Sequence, residues 1–309
     1  MAGDQRRFKQ KIQATSTLEK VFRAMELIAS SRIGRARRAA QGADPYTRAI
    51  TSALSLVAHH DFDASHPLLR ERSDSGRVAI LVVTSDRGLA GSYSANVERE
   101  AVEVMNRLRG EGKEPVLFVT GRRGIAYFKF RDAVIERFWE GGSDQPAEER
   151  MDEVAQALVD AFLTPGKQGV DQVLVISTRF KSMVKQTVEV RHMLPLAVVE
   201  AESGPLLDDE EALFTPGTGD ALPLYEFEPS AHEVFGALLP LYVKQRIANV
   251  LLMAAASELA ARQQAMHSAT DNAHQLVDEY TRRANEARQA EITTEITEIV
   301  SGADALKNS

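Results

Sequence analysis

The 309-residue sequence predicts an α/β protein with a long helix at each end, the two helices pairing, and a small domain of parallel strands between them. Three observations lead there. A helical stripe runs over the first part of the chain, a second and longer one follows Pro229, and short β-branched runs lie between.

From Phe8 to about His59, apolar or small residues recur at Phe8, Ile12, Thr15, Phe22, Met25, Ala29, Ile33, Ala36 and Ala40, mostly in steps of three or four. One face of a helix requires that spacing. Gly34 and Gly42 weaken such a helix by about 1 kcal/mol each relative to Ala, and Pro45 is a place for a kink or break. The N-terminal helix is assigned to residues 1–60.

The middle, residues 77–200, changes grammar. Val78 to Val83, Pro115 to Thr120 and Gln172 to Ser177 are short β-branched runs bounded by Gly, Pro or polar residues, the pattern of strands buried on both faces of a parallel sheet. Amphipathic segments at 94–109 and 147–162 separate them, so right-handed β-α-β crossovers follow and the domain is Rossmann-like. Val184 to Val190 and Pro195 to Glu200 are candidates for further strands. Residues 201–229, rich in Pro, Gly and acids, read as a connecting loop.

The C-terminal helix is assigned to 230–305. Ser230 with Glu233 forms a capping box at its start. Pro240 should bend the first turns, but from Leu241 to Leu306 there is no further proline and Gly302 is the only glycine. Met266, Ala269, Ala273, Leu276, Tyr280, Ala284 and Ala287 make a seam like that of a coiled coil. At about 1.5 Å per residue the N-terminal helix would span about 75 Å and this one about 110 Å. Part of the longer helix must therefore outrun its partner or pack elsewhere. Alanine on the seam lets helices approach closely but forgoes about 2 to 5 kcal/mol per site relative to a buried Leu. So thin a pair makes best sense inside a narrow sleeve supplied by something else.

Charge is uneven: residues 1–59 carry 11 Lys+Arg against 4 Asp+Glu, a net of +7 on a chain whose total is −7. The basic cluster Arg35, Arg37 and Arg38 is open to two readings, a phosphate-neutralising arm or a solvated, protein-facing helix surface. There is no Cys, which excludes disulfides, thiolate metal sites and thiol catalysis. No run of eighteen apolar residues is present, and Arg6, Arg7, Lys9 and Lys11 interrupt any secretory signal, so a cytosolic chain is expected, held at a membrane only through partners.

Catalytic and cofactor motifs are missing. Gly217-Thr-Gly219 has Leu222 in place of a third glycine, and Gly166-Lys167 is followed by Gln168 and lacks the earlier glycine of a P-loop. The turn Ser85-Asp-Arg-Gly-Leu-Ala-Gly-Ser-Tyr93 could bind an anion ahead of a helix, but the preferred reading is structural, Asp86 capping the turn while Gly88 and Gly91 supply backbone freedom. His267 and His274, a heptad apart, lack metal-ligand company and read as surface residues. No catalytic residue, cofactor or metal is expected. A nucleotide-using α/β enzyme with helical arms and a coiled-coil nucleic-acid binder are the rival readings.

The residues also resemble a known family. Ser257 to Met266, Ala269-Thr-Asp-Asn-Ala273, and Asn285 to Ala303 at the end, with Ala24-Met-Glu-Leu-Ile-Ala-Ser30 at the start, are similar to the γ subunits of F-type rotary ATP synthases. Ser85 to Gly91 and Gly121-Arg-Arg-Gly124 resemble the family's central motifs, whereas Leu18 to Arg23 and Ala90 depart from its usual pattern. The resemblance implies an antiparallel coiled coil inside the ring of α and β subunits, with the α/β domain near the ε subunit and the c ring. It implies a rotor without its own active site, peripheral on the cytoplasmic face of a bacterial plasma membrane, and no nucleic-acid partner. By the same resemblance Arg288, Gln289, Met25 and Glu26 meet the β subunits, and Tyr225 with Glu228 meet the c ring.

Overall fold

The computed structural model describes residues 2–60, 66–196, 227–228 and 230–307. In order these form α1 (Ala2–His60), β1 (Arg77–Val83), α2 (Tyr93–Gly110), β2 (Glu114–Thr120), α3 (Arg122–Phe130), β3 (Ile135–Trp139), α4 (Glu148–Leu163), β4 (Gln172–Phe180), β5 (Gln186–Leu194) and α5 (Ala231–Lys307). Pro45 and Pro240 both lie inside helices assigned as continuous. The expected capping box is partly made: the Glu233 N–H donates to Ser230 Oγ at 3.3 Å. The chain divides into two compact units, Ser31–Ala261 and the pairing of Met1–Ser30 with Arg262–Ser309.

In the first unit a five-stranded sheet has the order β3-β2-β1-β4-β5. β1 is parallel to β2 and to β4, as the β-branched runs predict. β3 joins β2 in parallel, and β5 runs antiparallel along β4. Successive residues of a strand face opposite ways, so β1 divides between two cores: Val78, Ile80 and Val82 pack with α2 and α3, while Ala79, Leu81 and Val83 pack with α4 and the inner ends of α1 and α5. Helix α5 contributes Phe235, Leu239, Tyr242, Val243, Ile247, Val250, Leu251 and Ala254 to this second core, and α1 contributes Ile50, Leu54 and Val57. Tyr93 at the start of α2 donates its hydroxyl to the Ala254 carbonyl at 3.1 Å, and Ser257 donates to the Thr178 carbonyl at 2.9 Å. The terminal helices are thus sewn onto the sheet as its second covering layer.

Two elements go beyond the expected ones, α3 and β3. The candidate strand Val184 to Val190 is observed shifted to Gln186–Leu194, whereas Pro195 and Leu196 are not in a strand and Ala197 to Glu200 lie outside the described residues, as does most of 201–229.

In the other unit α1 and α5 run antiparallel. Phe8 stacks near Tyr280 (6.3 Å between ring centroids), Glu19 lies beside His274 and Glu26 beside His267.

Candidate functional site

The helix pair is the part of the molecule with no large core. Along α5 the half-buried or buried positions include Met266, Thr270, Ala273, Val277, Tyr280, Ala284 and Ala287, alternating steps of four and three. That is a heptad repeat, the period that keeps two helices in contact over many turns. Two positions of the expected seam shift: Leu276 is 41% exposed and Val277 takes its place, because the alternation demands a step of four after Ala273, and Thr270 shares the place of Ala269, both being half-buried. On α1 the matching positions are Phe8, Ile12, Thr15, Glu19, Phe22, Glu26 and Ala29.

Two of those seam positions are glutamates. Their side chains are only 24% and 21% exposed, and each is met by a histidine of α5: His274 Nδ1 lies 3.6 Å from Glu19 Oε1, and His267 Nδ1 lies 3.0 Å from Glu26 Oε1. The other ring nitrogens approach Asp278 at 3.9 Å and Asp271 at 3.7 Å, one turn on along α5. The histidines are surface residues, as expected, but they cover acids that a heptad seam would otherwise leave facing an apolar partner. Lys11 adds a similar device, its ammonium 5.1 Å from the Tyr280 ring centre.

The outer faces of the pair are largely charged, with exposed apolar residues set among the charges. Leu18, Val21, Leu27 and Ile28 are exposed on α1. Beyond Ala287, α5 exposes Ile292, Ile296, Ile299 and Val300, an i, i+4, i+7, i+8 stripe on one face. Arg288 and Gln289 begin this stretch, exposed, with side chains that make no hydrogen bond or ion pair among the described residues. Met25 is half-buried, and Glu26 is the acid held by His267. Glu228 is exposed in a bend, and Tyr225 lies outside the described residues.

The turn after β1 has a different role from an anion site. Asp86 itself supplies the anion: its carboxylate accepts N–H groups of Arg122 (3.2 Å), Gly141 (2.8 Å) and Ser143 (2.9 Å), and its own N–H donates to Ser143 Oγ at 2.8 Å. Burial pushes this carboxyl up, but the three backbone donors outweigh it and hold the group below its ordinary value. Asp86 therefore binds across to neighbouring loops and does not cap its own turn. Backbone freedom is used at Leu89 (φ 63°) and Gly91 (φ 57°), not at Gly88.

Among the described residues, the ends of β1 and β2 are closely packed. Gly121 has φ 91°, and a Cβ there would come within 2.2 Å of the Thr84 carbonyl oxygen; at Gly124 it would meet Thr84 Oγ1 at 2.7 Å. Thr84 Oγ1 fills this contact, donating to the Thr120 carbonyl and accepting from the Gly124 N–H. The cavity that remains beside Asp86 and Trp139 is about 30 Å³, enough for water and far below the several hundred of a cofactor pocket. Gly166-Lys167 forms a short 3-10 turn, and Gly217 to Leu222 lie outside the described residues. Of the basic cluster, Arg37 stacks over Phe180 at 5.6 Å, an aromatic partner that sequence order had hidden, while Arg35 and Arg38 are exposed.

Comparison with known proteins assigns the helix pair its context. A family model described as ATP synthase matches residues 4–306. The ATP synthase gamma chain of Beutenbergia cavernae is 54% identical over 312 residues, covering 100% of both chains. The chain belongs to the ATP synthase gamma chain family. The gamma chain of a Nocardioides species is 50% identical, covering 100% of this chain and 98% of its own. Among solved structures, a chain of the Tetrahymena thermophila mitochondrial ATP synthase central stalk and c ring shares the fold, with a TM-score of 0.55 at 19% identity, over 81% of this chain and 99% of that one. A chain of the Euglena gracilis mitochondrial ATP synthase, in an assembly of OSCP, F1 and c ring, has a TM-score of 0.65 at 14% identity, over 99% of this chain and 95% of that one. As a gamma chain this protein is the central-stalk rotor subunit, and it is not itself catalytic. No helix of the described residues is long and apolar enough to cross a membrane.

Proposed function

We propose that this rotor couples rotation of a membrane c ring to conformational change at the catalytic β subunits of F1, in ATP synthesis or hydrolysis. The observation that carries the proposal is the thin seam of the helix pair, in which alanines and two acids stand among the apolar residues, together with the exposed stripe Ile292, Ile296, Ile299 and Val300 on α5. A helix pair so built gains little from its own contact and exposes apolar surface that an enclosing sleeve would bury. The ring of α and β subunits is that sleeve. Arg288 and Gln289 lie free on the exposed stretch of α5, where Arg288 can make charge-assisted hydrogen bonds to acidic groups of β. Met25 and Glu26 present α1 to a β loop, and Tyr225 with Glu228, ahead of α5, face the c ring. The ε subunit docks on the α/β domain. The complex sits on the cytoplasmic face of a bacterial plasma membrane, with this chain attached through its partners.

Co-expression with the α and β chains of the same cell tests the reading. A complex containing a single copy of this chain per ring is expected, and Arg288→Ala or Gln289→Ala should lower coupled synthesis in reconstituted vesicles while leaving the chain folded. Synthesis at the parent level in both variants would remove those two residues from the coupling surface.

A further inference from the structure

Besides the apolar packing of Ile50, Leu54 and Val57, helix α1 is linked to the α/β sheet by a polar relay that starts at a strand end. Thr84, at the end of β1, binds the end of β2 through the Thr120 carbonyl. Asp86, two residues on, grips the N–H groups of Gly141 and Ser143 in the loop after β3. That loop turns through Gly141 (φ 87°) and Gly142 (φ 79°), and the Gln145 N–H closes it onto the Gly142 carbonyl at 3.0 Å. The residue thereby presented is Asp144, whose carboxylate meets the Arg32 guanidinium of α1 at 2.6 Å. The pair is not a loose surface contact, since the Asp144 side chain is 16% exposed and the N–H of the preceding residue, Ser143, is held by Asp86. Beside it a cavity of about 240 Å³, lined by Arg32, Arg35, Asp144, Gln145, Leu252 and Ala255, leaves this stretch of α1 without close apolar packing against the loop. The polar link is therefore what ties helix to loop there.

We propose that Arg32 and Asp144 are positioning residues for torque transfer: the pair straps α1 to the sheet so that a twist applied to the α/β domain reaches the helix without slip. This deepens, and rests on, the rotor reading above. Arg32 acts by keeping α1 in phase with the strand ends, a contiguous path of the kind through which mechanical coupling can run. Arg32 lies just past Ala24 to Ser30, and Asp144 lies in a loop with no motif.

The test uses the assembled ATP synthase in vesicles, with three variants of this chain: Arg32→Gln, Asp144→Asn, and the exchange Arg32→Asp with Asp144→Arg. ATP hydrolysis and ATP-driven proton uptake are read on the same preparation, together with the amount of this chain recovered with α and β. Each single variant is expected to lower the uptake-to-hydrolysis ratio by about two- to tenfold at parent levels of assembly, with the exchange recovering most of it. A parent ratio in both assembled single variants overturns the proposal. So does loss of assembly in all three variants, which makes the pair a folding contact only. If the single variants fail to assemble, an exchange variant that assembles with the parent ratio supports the strap, and one that assembles with a lowered ratio overturns it. Failure of the rotor reading would show differently, as a parent chain that recovers no α or β at all.

Discussion

The helix pair and the α/β unit bury different things. In Ser31–Ala261 the fully buried side chains include Phe128, Phe162, Phe235, Leu158 and Ile176, each contributing about 1.5 to 3 kcal/mol on removal from water. In the pairing of Met1–Ser30 with Arg262–Ser309 the buried apolar residues among those described are Ala29, Met266, Ala273 and Ala284, with glutamates at two further seam positions. The first unit carries its own core. The second has only a thin seam and leaves Ile292, Ile296, Ile299 and Val300 exposed.

The sharpest break in that comparison is Gly121→Ala. A Cβ 2.2 Å from the Thr84 carbonyl, at φ 91°, cannot be relieved by moving a flexible side chain, so a loss of about 3 kcal/mol or more is expected in urea denaturation of the full chain. A smaller loss, about 1 to 3 kcal/mol at neutral pH, is expected for Asp86→Asn, which leaves three N–H donors without their carboxylate. Because the folded carboxyl is held below its ordinary value, its contribution is fully present above the unfolded pKa of about 4 and fades as pH falls through the folded one. The gap between parent and Asp86→Asn should therefore be widest at neutral pH and close toward strong acid.

Changes in the helix pair should be milder in the chain alone. His267→Ala with His274→Ala removes two exposed partners of half-buried acids, and about 1 kcal/mol or less is expected by thermal unfolding. The triple change Ile292→Ser, Ile296→Ser and Ile299→Ser should shift the isolated chain by no more than about 0.5 kcal/mol, since those side chains are already exposed. Its effect should appear on assembly, as reduced recovery with α and β. A large loss in the isolated chain would instead mean that these residues pack within it, and the contrast between the two units would be wrong.

Much of the fold was legible because its signals are local. Strands β1, β2 and β4 are interior and buried on both faces, so they read as continuous apolar runs. β3 is an edge strand with Glu136, Arg137 and Phe138 exposed, so neither alternation nor a run marks it, and α3 is short with Gly124 inside. The seam was legible as a period, but its phase was not. Leu276 and Val277 are neighbours, about 100° apart on a helix, and hydrophobicity alone favours the wrong one. Glu19 and Glu26 carry no apolar signal that would mark them as seam positions, although their heptad spacing mirrors that of His274 and His267.

By itself the sequence determined that two long helices flank a parallel α/β core, that no phosphate loop or metal cluster is spelled out, and that the chain resembles rotary γ subunits. Periodicity, turn residues and short motifs act within a few residues of each other, and order along the chain preserves them. Only the tertiary structure decided that Asp86 is itself the anion of its turn, with Gly141 55 residues away, and that Arg32 meets Asp144 across 112. Charge-assisted contacts of that kind depend on which strand ends and helix turns the sheet brings within about 3 Å, and nothing in the local pattern of either partner records it.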